Sequence, residues 1–139
     1  MIELSLASYI GTNVQIPLSV EDSDDLVVIG DCFSNKYNRQ DVKKYQFNTP
    51  YTYEVSSHWG IEISEDINES ICKESKEKLI KLCKIMDMYL EKGDFFELYS
   101  CWVGEEANKR EGDLTLELNN FDINLVRLPE KTLVRFVKG

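Results

Sequence analysis

Residues 64–93 read SEDINESICKESKEKLIKLCKIMDMYLEKG, and residues 94–103 that follow read DFFELYSCWV. The first stretch has a helical period and the second a strand period, and their junction sets the fold class. Ser64 is a helix cap, and Glu65 and Asp66 place negative charge in a first turn, where the helix dipole favours it. Ile67, Ile71, Leu79, Leu82, Ile85, Met86, Tyr89 and Leu90 share one face at 3.6 residues per turn. Glu69–Lys73, Glu74–Lys78 and Glu77–Lys81 are i,i+4 pairs for the outer side. Gly93 is the stop signal. The spacing predicts one long amphipathic helix over about residues 65–92, with Ser75 as the candidate point for a break.

Beyond Gly93 the pattern changes. Phe95 to Val103 is apolar on both faces, with only Glu97 and Ser100 polar inside the run, which marks a central strand. Upstream, Ile2, Leu4 and Leu6 alternate with polar residues, and so do Val14, Ile16, Leu18 and Val20. With Gly11-Thr12-Asn13 read as a turn, they predict a hairpin, whose second strand belongs at an edge because Pro17 has no N–H for a ladder. The run Leu26 to Ile29 predicts a short strand buried on both faces. Residues 34–44 are polar and predict a loop or a short helix.

Tyr51, Tyr53 and Val55, then Trp59, Ile61 and Ile63, keep a strand period. Leu114, Leu116 and Leu118 predict a half-exposed strand returning antiparallel, and residues 123–128 and 133–137 a closing hairpin around Pro129-Glu130-Lys131. The expectation is an α+β fold with a mainly antiparallel β-sheet. One long helix packs on one face, in a single domain over residues 1–139.

The chain has 139 residues and a formal charge of −9, with 42% hydrophobic and 29% charged residues. Those values belong to a globular domain, not to a disordered or collagen-like chain. No apolar run reaches the ~20 residues of a spanning helix, so no membrane partner is expected. Acidity of this size argues against nucleic acid as a partner. The lysines at 73, 76, 78, 81 and 84 alternate with glutamates, as in a solvated ion-pair face. The charge is unevenly placed. Residues 1–35 hold Glu3, Glu21, Asp22, Asp24, Asp25 and Asp31 with no Lys or Arg, a local −6.

Met1-Ile2-Glu3 leads straight into strand alternation, with no basic or long apolar leader pattern, so a cytoplasmic location is expected. Cys32, Cys72, Cys83 and Cys101 form no C-x-x-C pair. Cys72 and Cys83 on one helix would lie about 16 Å apart, well beyond the ~7 Å a disulfide allows between Cα atoms. Free thiols in a reducing compartment are the expectation.

No catalytic constellation stands out. His58 is the single histidine, and Ser100 or Cys101 would be its nucleophile. The surrounding Leu98-Tyr99-Ser100-Cys101-Trp102 lacks a nucleophile elbow, and Cys101 fits better inside the strand. Glu105, Glu106, Glu111 and Asp113 do not follow the alternating-acid pattern with a central glycine of a calcium loop, so no metal is expected. The glycines are isolated, so no phosphate-binding loop and no cofactor are expected either. Tyr45, Phe47, Tyr51, Tyr53 and Trp59 crowd around one turn, and such residues serve as interface anchors when they are not core.

The profile points to a protein that acts by binding another protein. The leading expectation is an immunity or inhibitor protein of bacterial type that neutralises a basic toxin or nuclease, steered by opposite charge. Its docking residues would be Glu21, Asp22, Asp24, Asp25, Glu105, Glu106 and Glu111, with Tyr51, Tyr53 and Trp102 as anchors. One alternative is a small-molecule site or minor enzyme with a pocket between helix and sheet, using Glu97, Tyr99, His58 and Glu105. Another is a homo-oligomeric subunit that hides the aromatic segment. The sequence leaves the oligomeric state open.

Overall fold

The computed structural model describes residues 6–19, 27–30, 36–56, 60–64 and 69–139. They form an α+β fold. A mostly antiparallel six-stranded sheet carries one long helix and one short helix. The strands are β1 (Leu6–Thr12), β2 (Val28–Ile29), β3 (Tyr51–Ser56), β4 (Phe95–Trp102), β5 (Gly112–Glu117) and β6 (Thr132–Val137). The helices are α1 (Lys36–Tyr45) and α2 (Glu69–Tyr89). Across the sheet the order is β2-β3-β1-β4-β6-β5.

The register divides the side chains cleanly. Ile10 opposite Leu98, and Leu98 opposite Val134, place one apolar row on the first face. Phe96 opposite Phe136 makes a second row, with the rings stacked at 4.9 Å. Leu79, Leu82, Cys83 and Met86 of α2 join these rows in one core cluster. Each such side chain, fully buried, contributes about 1.5–3 kcal/mol. On the second face Ala7, Tyr9, Tyr99, Cys101 and Leu133 pack with Val42 of α1 and with Phe47. Residues 36–44 of the polar stretch thus lie in a helix, and the sheet is covered on part of its second face as well.

As its apolar-on-both-faces pattern requires, β4 is central, between β1 and β6. The helix runs unbroken through Ser75. This side chain is buried, and its hydroxyl accepts the Glu62 N–H at 3.1 Å, so it is a docking point rather than a break. Ile71 and Tyr89 lie exposed instead of on the buried face, and Lys78 lies inside with Glu74 at 3.4 Å.

Several neighbour relations differ from the expected ones. β1 does not pair with residues 14–19, because β3 and β4 occupy both of its sides. Residues 14–19 form no strand, in keeping with Pro17, and Ser19 instead meets Ile29 through two hydrogen bonds of 2.8 Å. Gly11 lies inside β1, not in a turn. A Cβ there would fall 2.4 Å from Thr49 Oγ1 and 2.7 Å from Phe47 Cγ, so this glycine admits a close approach. β2 is an edge strand beside β3, with Val28 half-buried.

Residues 60–64 join no strand. Ile61 N–H donates to Ser8 Oγ at 2.7 Å, and its carbonyl accepts from Ser100 Oγ at 2.8 Å. With Ser8 and Ser100 2.6 Å apart, buried serines take the backbone bonds that a ladder would have supplied. Ile63 makes an isolated bridge to Leu128. Finally, β5 runs parallel to β6. The intervening residues 118–131 are long enough for a crossover and bury Leu118, Val126 and Leu128, so residues 123–128 form no hairpin strand.

Candidate functional site

The two edges of the sheet are finished differently. At β2, Ser19 covers the outer side of Ile29. At β5, among the described residues, no strand lies outside Gly112–Glu117. Asp113, Leu114, Thr115 and Glu117 are exposed along it. A strand sends the backbone groups of alternate residues to opposite sides, so half of those of β5 point away from β6.

The second face beside this edge is polar. Register aligns Glu97, Arg135 and Thr115 across β4, β6 and β5. The Arg135 guanidinium gives two hydrogen bonds to Glu97 Oε2, at 3.0 and 3.2 Å, and lies over the Phe95 ring at 4.5 Å. Glu97 is only 2% exposed, and its Oε1 has no hydrogen-bond partner. Arg110 bonds Asp113 Oδ1 at 2.6 Å and the Gln46 carbonyl at 2.7 Å. Between these groups lies an open cleft of about 160 Å³, lined by Glu97, Arg110, Asp113, Thr115 and Arg135 among others.

The loop before β5 is held from inside. Glu106 is 1% exposed. Its carboxylate accepts from Tyr9 Oη at 2.8 Å, Asn38 Nδ2 at 3.2 Å and the Gly104 N–H at 3.0 Å. Gln46 Nε2 donates to the carbonyls of Glu106 and Asn108 at 3.0 and 2.7 Å. Glu105 is half-buried and pairs with Lys131 at 3.2 Å, a hydrogen bond that raises the Lys131 ammonium above its ordinary value. Burial raises the Glu130 carboxyl beside it.

No family model, no curated protein and no solved structure matches this chain.

Of the acidic residues expected to dock a partner, Glu111 is exposed just before β5, Glu105 is tied to Lys131, and Glu106 is consumed inside the fold. Glu21, Asp22, Asp24 and Asp25 lie outside the described residues, as do His58 and Cys32. The expected anchors are not gathered at β5. Tyr51 and Tyr53 belong to β3, on the far side of the sheet, and Trp102 ends β4 half-buried. Tyr51 instead flanks a basic groove of about 350 Å³ with Lys36, Arg39 and Lys43. Tyr53 Oη accepts the Ile16 N–H at 3.1 Å.

Burial raises the Cys101 thiol, with Glu106 and Glu105 adding to the effect, and raises the Tyr99 hydroxyl, so both stay protonated near neutrality. Glu97 and Tyr99 lie on the sheet face opposite α2, not in a pocket under that helix. No group of three His, Cys, Asp or Glu among the described residues could hold a metal ion, and no described helix is long and apolar enough to cross a membrane. Arg110, Asp113 and Arg135 at the cleft, and Glu117 exposed on β5, carry no motif that singles them out in the sequence. The alternation of residues 113–117 was visible, but their place at an open edge was not.

Proposed function

We propose that this chain is a protein-binding domain of the immunity or inhibitor kind, which neutralises a basic toxin or nuclease in the bacterial cytoplasm by direct capture. The observation that carries the reading is the open edge of β5, where Glu111, Asp113 and Glu117 are exposed on and beside a strand with no outer neighbour among the described residues. An unpaired edge is a template for another chain, and an acidic one favours a basic chain. The net charge of −9 extends that preference to the encounter, by steering. The test is capture of a partner from the native cell with the tagged chain, followed by titration of the purified pair with salt. A basic partner whose association slows steeply with salt supports the reading. A partner that is not basic, or binding indifferent to salt, defeats it.

A small-molecule site is the second reading, and one observation favours it. Glu97 Oε1 has no partner at a cleft that also holds two arginines and Asp113. Such a set suits a small zwitterion, whose ammonium would meet the carboxylates and whose carboxylate would meet a guanidinium. Calorimetry with free amino acids, compared with a Glu97→Gln variant, tests it.

A further inference from the structure

The outer edge of β5 has neither a proline nor a lysine, two devices that commonly keep edge strands from pairing. Its side chains carry a pattern instead. Asp113, Thr115 and Glu117 face the polar side of the sheet, in register with Leu133, Arg135 and Val137 of β6. Leu114 and Leu116 face the other side, aligned with Val134 and Phe136. Asp113 and Glu117 are both exposed, and their partners within the chain are surface contacts: Arg110 at 2.6 Å and Asn120 at 3.2 Å. Exposed contacts of this kind contribute little and exchange readily.

The same pattern selects among occupants. A second copy of the chain, paired antiparallel about Thr115, would set Asp113 opposite Glu117 twice. Like charges directly opposite one another destabilise a strand pair. A strand with basic residues at those two positions meets both acids, while apolar residues between them continue the rows of Leu114 and Leu116.

We propose that β5 accepts an extended strand of a basic partner, adding a seventh strand to the sheet. The partner strand has Lys or Arg at two positions four residues apart, facing Asp113 and Glu117, with apolar residues alternating between them. The inference rests on the protein-binding reading above and names the chemistry its partner must have.

The probe is a synthetic peptide, Thr-Lys-Val-Thr-Val-Lys-Thr, titrated into the isotope-labelled full chain and followed by amide shifts. A second peptide has Glu for Lys. A third keeps the lysines but is N-methylated at alternate residues, which leaves its charge intact and blocks pairing. The lysine peptide is expected to shift and protect the amides of residues 112–117. Both controls, and the Asp113→Asn/Glu117→Gln chain, are expected to bind about three- to tenfold more weakly. Equal binding by the N-methylated peptide, shifts confined to residues outside β5, or self-pairing of the unaltered chain through β5 would overturn the proposal. The two readings fail separately. A captured basic partner that binds the Asp113→Asn/Glu117→Gln chain with undiminished affinity overturns strand addition and leaves protein binding standing. Peptide pairing along β5 together with salt-indifferent capture defeats the inhibitor reading and leaves strand addition standing.

Discussion

Replacing Glu106 with alanine is the sharpest test of how the loop before β5 is held. A glutamate beside Glu105 in a charged loop reads as solvated, and its loss from a surface would cost within about 0.5 kcal/mol. The structure places it inside, 1% exposed, accepting from Tyr9 Oη, Asn38 Nδ2 and the Gly104 N–H. Hydrogen bonds to a charged acceptor are worth about 1.5–3 kcal/mol each, and a buried donor deprived of its acceptor costs about 1–3 kcal/mol. The three donors share one carboxylate and do not add independently, so the expected loss is about 3–5 kcal/mol. Urea unfolding at neutral pH reads it directly. With a slope of about 1.5 kcal/mol/M, a loss of 3 kcal/mol lowers the midpoint by about 2 M. Tyr9→Phe removes one donor and leaves the others. The double-mutant cycle with Glu106→Gln is expected to show a coupling of about 1 kcal/mol. A Glu106→Ala chain whose midpoint stays within 0.3 M or so of the unaltered one would refute the burial and return Glu106 to the outer surface.

Three further outcomes follow from the same geometry. Gly11→Ala drives a methyl group into Phe47 and Thr49 and is expected to cost about 1–3 kcal/mol, read by thermal melting; an unchanged melt would show that the two segments do not touch. Arg135→Leu strands the buried Glu97 carboxylate and is expected to cost about 3 kcal/mol in urea, part of which Glu97→Gln restores in the double variant; equal losses in the single and double variants would contradict the pairing. Burial pushes the Cys83 thiol from 9.0 to about 12, with Asp87 adding to the effect. The folded chain then holds a proton that the unfolded chain releases, so this contribution is intact below pH 9 and is lost between pH 9 and 12. The Cys83→Ala chain, compared by unfolding across that range, is expected to lose less stability with rising pH than the unaltered chain, and parallel curves would remove Cys83 as the cause.

The elements that were legible in the sequence are those whose pattern repeats locally. The helix over residues 69–89 shows its buried face every three or four residues, and β4 shows its central position through apolar residues on both faces. Neighbour relations were not legible. A hairpin was the natural reading of residues 2–20, yet β1 pairs with β3 and β4, which begin 39 and 83 residues after β1 ends. Gly11 shows the same limit, since a glycine in a turn and a glycine under an aromatic ring look alike until the ring is in place. The alternation of β5 was visible, but its parallel pairing depends on the crossover through residues 118–131, which buries three apolar side chains without forming a strand.

The sequence by itself determined the α+β class, the long helix, the central strand and the acidic balance, because periodicity and composition are local or summed properties of the chain. Only the tertiary structure decided which acids stay exposed and which are taken up inside the fold. Glu106 is withdrawn by a hydrogen bond to Tyr9 across 97 residues of sequence, and Glu97 by an arginine 38 residues away. Asp113 and Glu117 stay outside, held only by surface contacts to Arg110 and Asn120. A carboxylate's role depends on the donors that close around it, and those are brought together by long-range pairing that no local pattern encodes.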